Sequence, residues 1–421
     1  MSSTIALRCS GCGETPSDPD VLACGACADL LAFELHTDAI SAYAVEDRAR
    51  LRRMSVDPRD RSGVWRYREL LPPVAGEMIT TLREGDVPLI EANRGASYAG
   101  VDRLAYLHLG MNPTASFKDA GMTVAISHAR ERGARVAICA STGNTAASAA
   151  AYAARAGMTA VVIAPVAAIS PAKVAQTLDY GAHVVAVEGD FDDALRAVRP
   201  LDPATVAVVN SVNPYRIEGQ KTAAFVLLEQ RNWHPPDWVV LPGGNLGNAS
   251  ALGKGFREAR GIGLTTRLPR LGVVQAAGAA PFARAWREDR DLVPVRAETD
   301  ATAIRIGDPA SWKKARAEVR FSAGTVLDVR DDEIAEARAI IGRDGVGCEP
   351  ASAASLAGLR KLVSNGTVAR DADVVCVLTG HVLKDTAYTE RYHASSAPHA
   401  NAIVRGTDLA DYLNLLLLTR A

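Results

Sequence analysis

The sequence predicts an α/β protein with two doubly wound parallel-sheet domains, preceded by a small N-terminal four-cysteine knuckle. The chain of 421 residues is longer than one hydrophobic core usually fills. From about residue 100 onward, short apolar runs typical of strands alternate with segments typical of helices. Four of the cysteines lie in two close pairs near the N-terminus.

The knuckle is predicted over residues 1–32, where glycine, proline and serine surround the two cysteine pairs. The pairs follow the pattern Cys9-x2-Cys12-x11-Cys24-x2-Cys27. This spacing is typical of a tetrahedral zinc site with four thiolate ligands. A closed site of this kind leaves no position for a substrate, so we expect a structural role. The alternative is four free thiols in a loop that has lost its metal.

The alternating region predicts a series of strands with helices between them. Strands that are buried on both faces of a parallel sheet read as β-branched apolar runs. The predicted strands are residues 135–141, 159–165, 183–189, 205–210, 237–242, 269–276 and 373–380. The helices predicted between the earlier strands are residues 144–157, 170–181 and 191–199.

Composition and charge argue against several classes of protein. The net charge is −1 and no basic stripe is present, so we expect no nucleic-acid partner. No apolar run approaches the roughly 18 residues of a membrane span, and the N-terminus lacks the features of a signal peptide. We therefore expect a cytoplasmic protein with all seven cysteines reduced. The apolar tail, residues 411–421, is expected to form a helix that packs on its own domain or on a partner subunit.

A glycine-rich loop, LPGGNLGNAS at residues 241–250, joins a predicted strand to a helix. Gly243, Gly244 and Gly247 let the backbone approach a ligand, and a helix N-terminus favours negative charge. The loop therefore predicts a phosphate cradle without lysine or arginine. Its spacing is neither that of the Walker motif nor that of the dinucleotide motif GxGxxG. The alternative is a tight turn with no ligand.

Two other strand-to-helix loops carry polar side chains. In CASTGNTAAS, at residues 139–148, hydroxyl and amide groups gather at a helix N-terminus, and several together favour a site for a carboxylate or another anion. These residues are Ser141, Thr142, Asn144 and Thr145. One such residue alone would be a helix cap. In LTGHVLKD, at residues 378–385, Thr379 either reaches a ligand or caps the next turn.

Lys118 lies among small and neutral residues in NPTASFKDAGM, residues 112–122. Burial would lower the pKa of its amine and free the lone pair for attack on a carbonyl. The alternative is an ion pair with the adjacent Asp119. A reactive lysine, a phosphate cradle and an anion site together match the requirements of pyridoxal 5′-phosphate and an amino-acid substrate.

Seven segments in chain order resemble the threonine synthases, which use pyridoxal phosphate and have the tryptophan-synthase-β-like fold, fold type II. The segments are NPTASFKDAGM, CASTGNTAASAAAYAARAGM, VNSVNPYRIEGQKTAAF, LPGGNLGN, TAIRIGDPASW, CEPASAA and LTGHVLKD. The resemblance extends from about residue 60 to 390, and the knuckle is similar to one in some longer members. It implies conversion of O-phospho-L-homoserine and water to L-threonine and phosphate, through β,γ-elimination and water addition.

The resemblance implies contacts with the cofactor at matching positions. Lys118 matches the lysine that attaches to the cofactor and then acts as the base at the substrate's Cα. Asn144 matches an asparagine beside the cofactor's 3′-oxygen, and Thr379 matches the residue that faces the pyridine nitrogen. The phosphate cup matches Gly244, Asn245, Leu246, Gly247 and Asn248.

It also implies contacts with the substrate, a small phosphorylated amino acid. The positions that hold its oxyanions match Ser141, Asn210, Ser211 and Arg216, and we group Thr142 with them. Thr145 matches a threonine near the reacting carbons. Arg216 also suits a phosphate on physical grounds, because a guanidinium group pairs bidentately with phosphate oxygens. Its alternative is a structural ion pair with Glu218 or another acid.

Three residues near Lys118 depart from the family's usual NPTGSFKDRG. Ala115 replaces a glycine, Ala120 replaces an arginine, and Leu109 replaces an acid. Where the family's acid and arginine form an ion pair, loss of both residues costs less stability than loss of one. The methyl group of Ala115 adds bulk beside the lysine. Two alternatives remain: a cysteate-synthase-like β-replacement on another phosphorylated amino acid, such as O-phosphoserine, and a cofactor-binding regulator without turnover.

The expected large, cofactor-binding domain combines residues 33–109 with residues 213–421. The expected small domain, residues 110–212, is mobile and closes over the substrate. The resemblance also implies a homodimer.

Overall fold

The computed structural model describes residues 4–18, 21–166, 169, 171–188 and 204–401. The predicted helices at residues 191–199 and 411–421 lie outside this part of the chain. Within it, no helix is both long enough and apolar enough to cross a membrane.

Twelve strands lie in the described residues, and we number them in chain order. They are β1 Ile5–Cys9, β2 Leu31–Leu35, β3 Leu89–Glu91, β4 Arg103–His108, β5 Val136–Ala140, β6 Thr159–Pro165, β7 His183–Val187, β8 Val206–Val208, β9 Trp238–Pro242, β10 Arg270–Ala276, β11 Thr325–Val329 and β12 Asp373–Leu378. Each predicted strand is present within two residues at either end. The sequence did not lead us to β3, β4 and β11.

The described α-helices are numbered in the same way. They are α1 Ala42–Arg53, α2 Pro58–Arg61, α3 Asn93–Ala99, α4 Lys118–Glu131, α5 Asn144–Ala156, α6 Pro171–Asp179, α7 Pro214–Gln230, α8 Gly247–Ile262, α9 Pro281–Arg287, α10 Trp312–Phe321, α11 Asp331–Arg343, α12 Pro350–Ser364 and α13 Thr386–His393. Helix α5 ends where Gly157 adopts a positive φ of 72°, a conformation that glycine adopts without steric cost.

The chain forms two larger sheets and one hairpin. The six-stranded sheet has the order β11-β10-β9-β12-β4-β3, and only the edge strand β3 is antiparallel to its neighbour. The four-stranded sheet has the order β7-β6-β5-β8 and is parallel throughout. Strands β1 and β2 form the antiparallel hairpin. The predicted α/β class with parallel sheets is therefore confirmed.

Strand-to-helix loops at the carboxyl ends of the parallel strands carry the predicted site residues, as expected for an open α/β sheet. Three of the helices that follow these loops, α4, α7 and α8, pack closely together. A Cβ atom on Gly219 of α7 would lie 1.8 Å from the Ala120 carbonyl oxygen of α4. A Cβ atom on Gly255 of α8 would lie 2.4 Å from the Lys221 carbonyl oxygen of α7. Glycine at these two positions lets the backbones of α4, α7 and α8 approach closely.

Four buried charges join α7 to α8, and we call them the charge quartet: Glu218, Lys221, Lys254 and Glu258. Lys221 Nζ lies 2.5 Å from a Glu218 oxygen and 2.8 Å from a Glu258 oxygen. Lys254 Nζ pairs with both carboxylates as well. Burial alone would raise the pKa of Glu218, but the two lysines lower it. The quartet is therefore a net-neutral cluster in the protein interior.

The knuckle is tied to this region through backbone carbonyls of β2. Lys254 Nζ donates to the Phe33 carbonyl at 2.6 Å, and Lys314 Nζ donates to the Leu31 carbonyl at 3.0 Å. The hairpin therefore packs against α8 and α10 rather than extending from the molecule.

Candidate active site

The segment that precedes Lys118 pairs with the chain beyond β12. The Phe117 amide donates to the Thr379 carbonyl at 2.9 Å, and the His381 amide donates to the Ala115 carbonyl at 3.0 Å. These two bonds flank Ser116 and form a short antiparallel pairing. The predicted lysine and the predicted threonine, 261 residues apart in the sequence, are thus brought together by backbone hydrogen bonds.

Lys118 begins α4 and is half-buried. Desolvation and, to a smaller extent, the charge of Arg216 lower the pKa of the amine to about 7, while the opposing charge of Glu349 raises it. No ion pair or hydrogen bond to the Nζ atom occurs among the residues that the structure describes, and Nζ lies 4.0 Å from the centroid of the Phe117 ring. At neutral pH a large fraction of such amines carries a free lone pair.

Asp119 is not the partner of Lys118. Its carboxylate accepts hydrogen bonds from the Thr114 amide at 2.7 Å, the Thr114 hydroxyl at 2.5 Å and the Ser148 hydroxyl at 2.6 Å. Burial raises its pKa to about 6 in spite of these three bonds. Asp119 therefore fixes the turn before α4 against α5, and the ion-pair alternative is not observed.

Arg216 is fully buried, and two of its guanidinium nitrogens, Nε and one Nη, have no hydrogen-bond partner among the described residues. Its other Nη atom donates to the Val209 carbonyl at 3.2 Å. Burial lowers its pKa to about 10. The alternative ion pair with Glu218 is not observed, because Glu218 belongs to the charge quartet. An unpartnered buried guanidinium group is suited to an anionic ligand.

The glycine loop leads from β9 into α8. A Cβ atom on Gly244 would lie 3.2 Å from the Ala303 carbonyl oxygen, so this position has little room for a side chain. Leu246 has a positive φ of 64° at the N-cap of α8. The side chain of Asn245 is already bonded within the protein: it donates to the Ser211 hydroxyl at 2.5 Å and accepts from the Ala310 amide at 2.7 Å.

Asn248 lies in the first turn of α8. Its side-chain amide is buried and has no partner among the described residues. It lines a cavity of about 10 Å³ together with Leu109, Phe117 and Ala120. Leu109 and Ala120 are the two positions at which the sequence lacks the family's acid and arginine. The structure therefore places both apolar replacements beside one small cavity.

A buried carboxyl group that the sequence did not indicate connects two predicted cofactor residues. Glu349 accepts from the Asn144 amide at 3.0 Å and from the Thr379 hydroxyl at 3.4 Å. Ser352 lies 3.0 Å from the same Thr379 hydroxyl. Burial raises the pKa of Glu349 despite the hydrogen bonds and the charges of Lys384 and Lys118. Glu349 and Ser352 both belong to the segment CEPASAA, and the resemblance implied no role for either residue.

The loops of the four-stranded sheet hold the predicted substrate residues. The Asn210 side chain is bonded to both backbone groups of Ala140, at 3.1 Å each. The Ser141 hydroxyl accepts from the Gly143 amide at 3.3 Å. Thr142 is buried, and Thr145 is half-buried in the first turn of α5. Asn210 thus joins the ends of β5 and β8, which places Ser141 and Ser211 on neighbouring loops.

Ala115, two residues from Phe117 and three from Lys118, has a φ of 66°. This left-handed conformation costs an ordinary residue roughly 1–2 kcal/mol, whereas glycine adopts it freely. The position therefore still has the backbone conformation that favours the family's glycine.

We expect Ala115→Gly to stabilise the protein by roughly 0.5–1 kcal/mol, since relief of the left-handed strain exceeds the entropy cost of glycine. Urea denaturation with fluorescence detection measures the change. Ala323→Gly is the matched control, because Ala323 is exposed and has a φ of 51°. A loss of stability in Ala115→Gly beside a gain in Ala323→Gly would mean that contacts of the Ala115 methyl group outweigh its strain.

The four cysteine Sγ atoms of the knuckle lie within 4.8 Å of one another. Cys9 and Cys27 are 3.4 Å apart, Cys12 and Cys24 are 3.7 Å apart, and Cys12 and Cys27 are 3.6 Å apart. A tetrahedral zinc ion with Zn–S bonds of about 2.3 Å requires sulfur separations of about 3.8 Å. The cluster therefore fits a four-thiolate metal site.

The site as a whole fits a phosphate-bearing aldehyde such as pyridoxal 5′-phosphate. It offers a half-buried lysine whose pKa is about 7, and a glycine loop at the N-terminus of a sixteen-residue helix. Around these lie buried polar atoms without partners among the described residues, in Arg216 and Asn248. Unpartnered buried polar groups are costly, so their concentration at one place indicates a ligand site.

Residues 80–380 match the family model described as pyridoxal-phosphate dependent enzyme. The chain is 43% identical to the threonine synthase of Methanocaldococcus jannaschii, over 90% of this chain and 92% of that one. It is 50% identical to the threonine synthase of Synechocystis sp., over 76% and 82% of the two chains.

Solved structures show the same fold at low sequence identity. The diaminopropionate ammonia lyase of Escherichia coli superposes with a TM-score of 0.63 at 16% identity, over 79% of this chain and 97% of that one. The threonine deaminase isoform 2 of Solanum lycopersicum gives 0.61 at 20% identity, over 75% and 90%. At these identities the likeness concerns the fold alone.

Proposed function

Because this chain belongs to the pyridoxal-phosphate dependent enzyme family and, within it, to the threonine synthases, we propose that it converts O-phospho-L-homoserine and water to L-threonine and phosphate. The observation that supports this best is the sequence identity of 43–50% to threonine synthases of three organisms over most of the chain. The reaction makes the protein a carbon–oxygen lyase that acts on a phosphate ester.

We propose that pyridoxal 5′-phosphate is held by residues of both larger sheets. Lys118 would attach to it, and the backbone of residues 244–248 would surround its phosphate at the N-terminus of α8. Asn144 and Thr379 would contact its ring, and Glu349, bonded to both, would hold their side chains in place. When bound, the cofactor withdraws electrons from the substrate's Cα, which acidifies the C–H bonds at Cα and Cβ.

Lys118 is the proposed proton carrier of the reaction. Its amine, with a pKa of about 7, can accept a proton and return it at neutral pH. It would take the proton from Cα and then one from Cβ, after which the bond from Cγ to the phosphate oxygen breaks. Water adds its hydroxyl group to Cβ, and protons are delivered to Cγ and back to Cα. Thr145, in the first turn of α5, would lie near these carbons.

We propose that the substrate's phosphate is bound by Arg216, with Ser141, Thr142, Asn210 and Ser211 around its oxyanions. The unpartnered nitrogens of Arg216 support this, since a buried guanidinium group has most to gain from an anionic partner. Asn245, which bonds to the Ser211 hydroxyl, would then link the substrate's phosphate site to the cofactor loop.

The direct test is incubation of the purified protein, loaded with pyridoxal phosphate, with O-phospho-L-homoserine alone. We expect release of phosphate and L-threonine in equal amounts, at about one turnover per second or more. Mass spectrometry identifies the amino acid, and a sample without protein is the control. A β-replacement enzyme would give no threonine, while its cofactor absorption would still respond to O-phosphoserine.

We propose that the cysteine cluster of the knuckle binds one structural zinc ion through Cys9, Cys12, Cys24 and Cys27. We expect about one zinc per chain by metal analysis, and loss of the metal on chelation should lower the melting temperature by several degrees. Cys12→Ser should bind little zinc, whereas Cys139→Ser, at a buried cysteine outside the cluster, is the matched control. Full zinc content in Cys12→Ser would contradict the assignment.

We also propose the division into a knuckle at residues 1–32, a large domain at 33–109 with 213–421, and a small mobile domain at 110–212. The parallel sheets of four and six strands support it. We further propose a cytoplasmic homodimer. The four-cysteine cluster supports the compartment, because a thiolate metal site of this kind suits an environment that keeps thiols reduced.

A further inference from the structure

Ser311 has a buried hydroxyl that is left without a hydrogen-bond partner in the described part of the chain. The residue occupies the N-cap position of α10, but its side chain makes no capping bond. A serine at this position normally accepts a hydrogen bond from an amide of the first helical turn. Its hydroxyl therefore lacks the bond that its own helix could supply, at a cost in free energy unless another partner is present.

The hydroxyl lies beside the N-terminus of α8. A Cβ atom on Gly247, the first residue of α8, would lie 3.8 Å from Ser311 Oγ. Asn245 fixes this arrangement, because its backbone carbonyl accepts from the Ser311 amide at 3.3 Å and its side chain accepts from the Ala310 amide at 2.7 Å. Two backbone-anchored contacts thus hold the hydroxyl against the glycine loop.

One neighbouring acceptor competes for this hydroxyl. Gln220 Oε1 is also buried and unpartnered among the described residues. It would lie 3.9 Å from the same Cβ atom placed on Gly247. The two side chains do not bond in this structure. A phosphate oxygen is a stronger acceptor than a neutral amide, and the N-terminus of α8 attracts it.

We propose that the Ser311 hydroxyl donates a hydrogen bond to a phosphate monoester held at the N-terminus of α8, and that this phosphate is the cofactor's. The proposal rests on the proposed function above and adds a binding residue from a different segment of the chain, TAIRIGDPASW. The substrate carries a phosphate of the same chemistry. We assign the hydroxyl to the cofactor's phosphate because Asn245 ties Ser311 to the glycine loop.

The experiment compares two ligands that differ only in the phosphate. Cofactor-free protein is titrated with pyridoxal phosphate and with pyridoxal, and quenching of tryptophan fluorescence gives each Kd. Ser311→Ala should weaken the binding of pyridoxal phosphate by about tenfold or more and leave that of pyridoxal unchanged. Ser322→Ala, at the other end of α10, is the matched control and should change neither value.

Three other results would overturn the proposal. An unchanged Kd for pyridoxal phosphate with a raised KM for O-phospho-L-homoserine would assign the hydroxyl to the substrate's phosphate. Equal weakening for both ligands, with a lower melting temperature of the cofactor-free protein, would indicate a structural bond such as one to Gln220. No change in any measurement would leave the hydroxyl without a ligand. If the unaltered protein binds no pyridoxal phosphate, the proposed function itself fails.

Discussion

Lys118→Ala is expected to lower kcat for threonine formation by about 10³-fold or more, because one amine supplies both the cofactor attachment and the proton transfers. The visible absorption of the lysine-bound cofactor should be lost in the same variant. Lys361→Ala, on α12, where the amine donates to the Asp328 carbonyl, is the matched control and should keep full activity. Turnover above one tenth of the original in Lys118→Ala would remove the lysine from the mechanism.

The pH dependence gives an independent test of the same residue. Since burial lowers the pKa of Lys118 to about 7, the neutral amine is depleted about tenfold for each pH unit below 7. The rate at which cofactor-free protein takes up pyridoxal phosphate should therefore rise up to about pH 7 and then level off. An unperturbed lysine would show a rate that continues to rise toward pH 10. The rate at which Nα-acetyl-lysine reacts with pyridoxal phosphate, measured over the same pH range, corrects for ionisation of the cofactor.

Lys221→Ala is expected to destabilise the protein by about 3–5 kcal/mol, the usual cost of removing one partner from a buried ion pair. The side chains of Lys221 and Glu218 are fully buried, so loss of Lys221 leaves two carboxylates in the interior with Lys254 alone. Urea denaturation of the cofactor-free protein measures the change.

Two further variants separate charge imbalance from the loss of a contact. Lys221→Met combined with Glu258→Leu removes one charge of each sign and should cost much less than Lys221→Ala alone. Arg330→Ala breaks an exposed pair with Asp332 and should cost less than about 1 kcal/mol. If Lys221→Ala were as mild as Arg330→Ala, the interior would be able to hold an unbalanced charge, against our expectation.

The parallel strands could be predicted where burial on both faces leaves a continuous apolar run, as in β5, β6 and β9. Strand β4, by contrast, contains Arg103, Tyr106 and His108, and β11 contains Asp328. These polar residues interrupt the apolar pattern, so neither strand could be recognised from composition alone. Each is specified by a neighbour far along the chain: β12 lies beside β4, and β10 lies beside β11.

Site residues could be predicted where the local sequence of a single loop indicates the chemistry. Lys118 and the glycine loop have distinctive local patterns, and in the structure Lys118 begins α4 while the loop leads into the N-terminus of α8. Glu349 had no such pattern, because its contact with Asn144 spans 205 residues and arises only when two sheets meet. Ser311 was not indicated by the sequence at all, and only the absence of a capping bond in the structure distinguishes it from an ordinary helix cap.

The pairing between residues 115–117 and 379–381 also determines which changes of length this region tolerates. Successive residues of an extended segment point to opposite sides, so one inserted or deleted residue would reverse every side chain that follows it. Between Ala115 and α4, such a change would either break both backbone bonds or turn Lys118 away from Thr379. Substitutions such as that at Ala115 leave this arrangement in place. The spacing from residue 115 to 118 should therefore be fixed among active relatives even where the residue types differ.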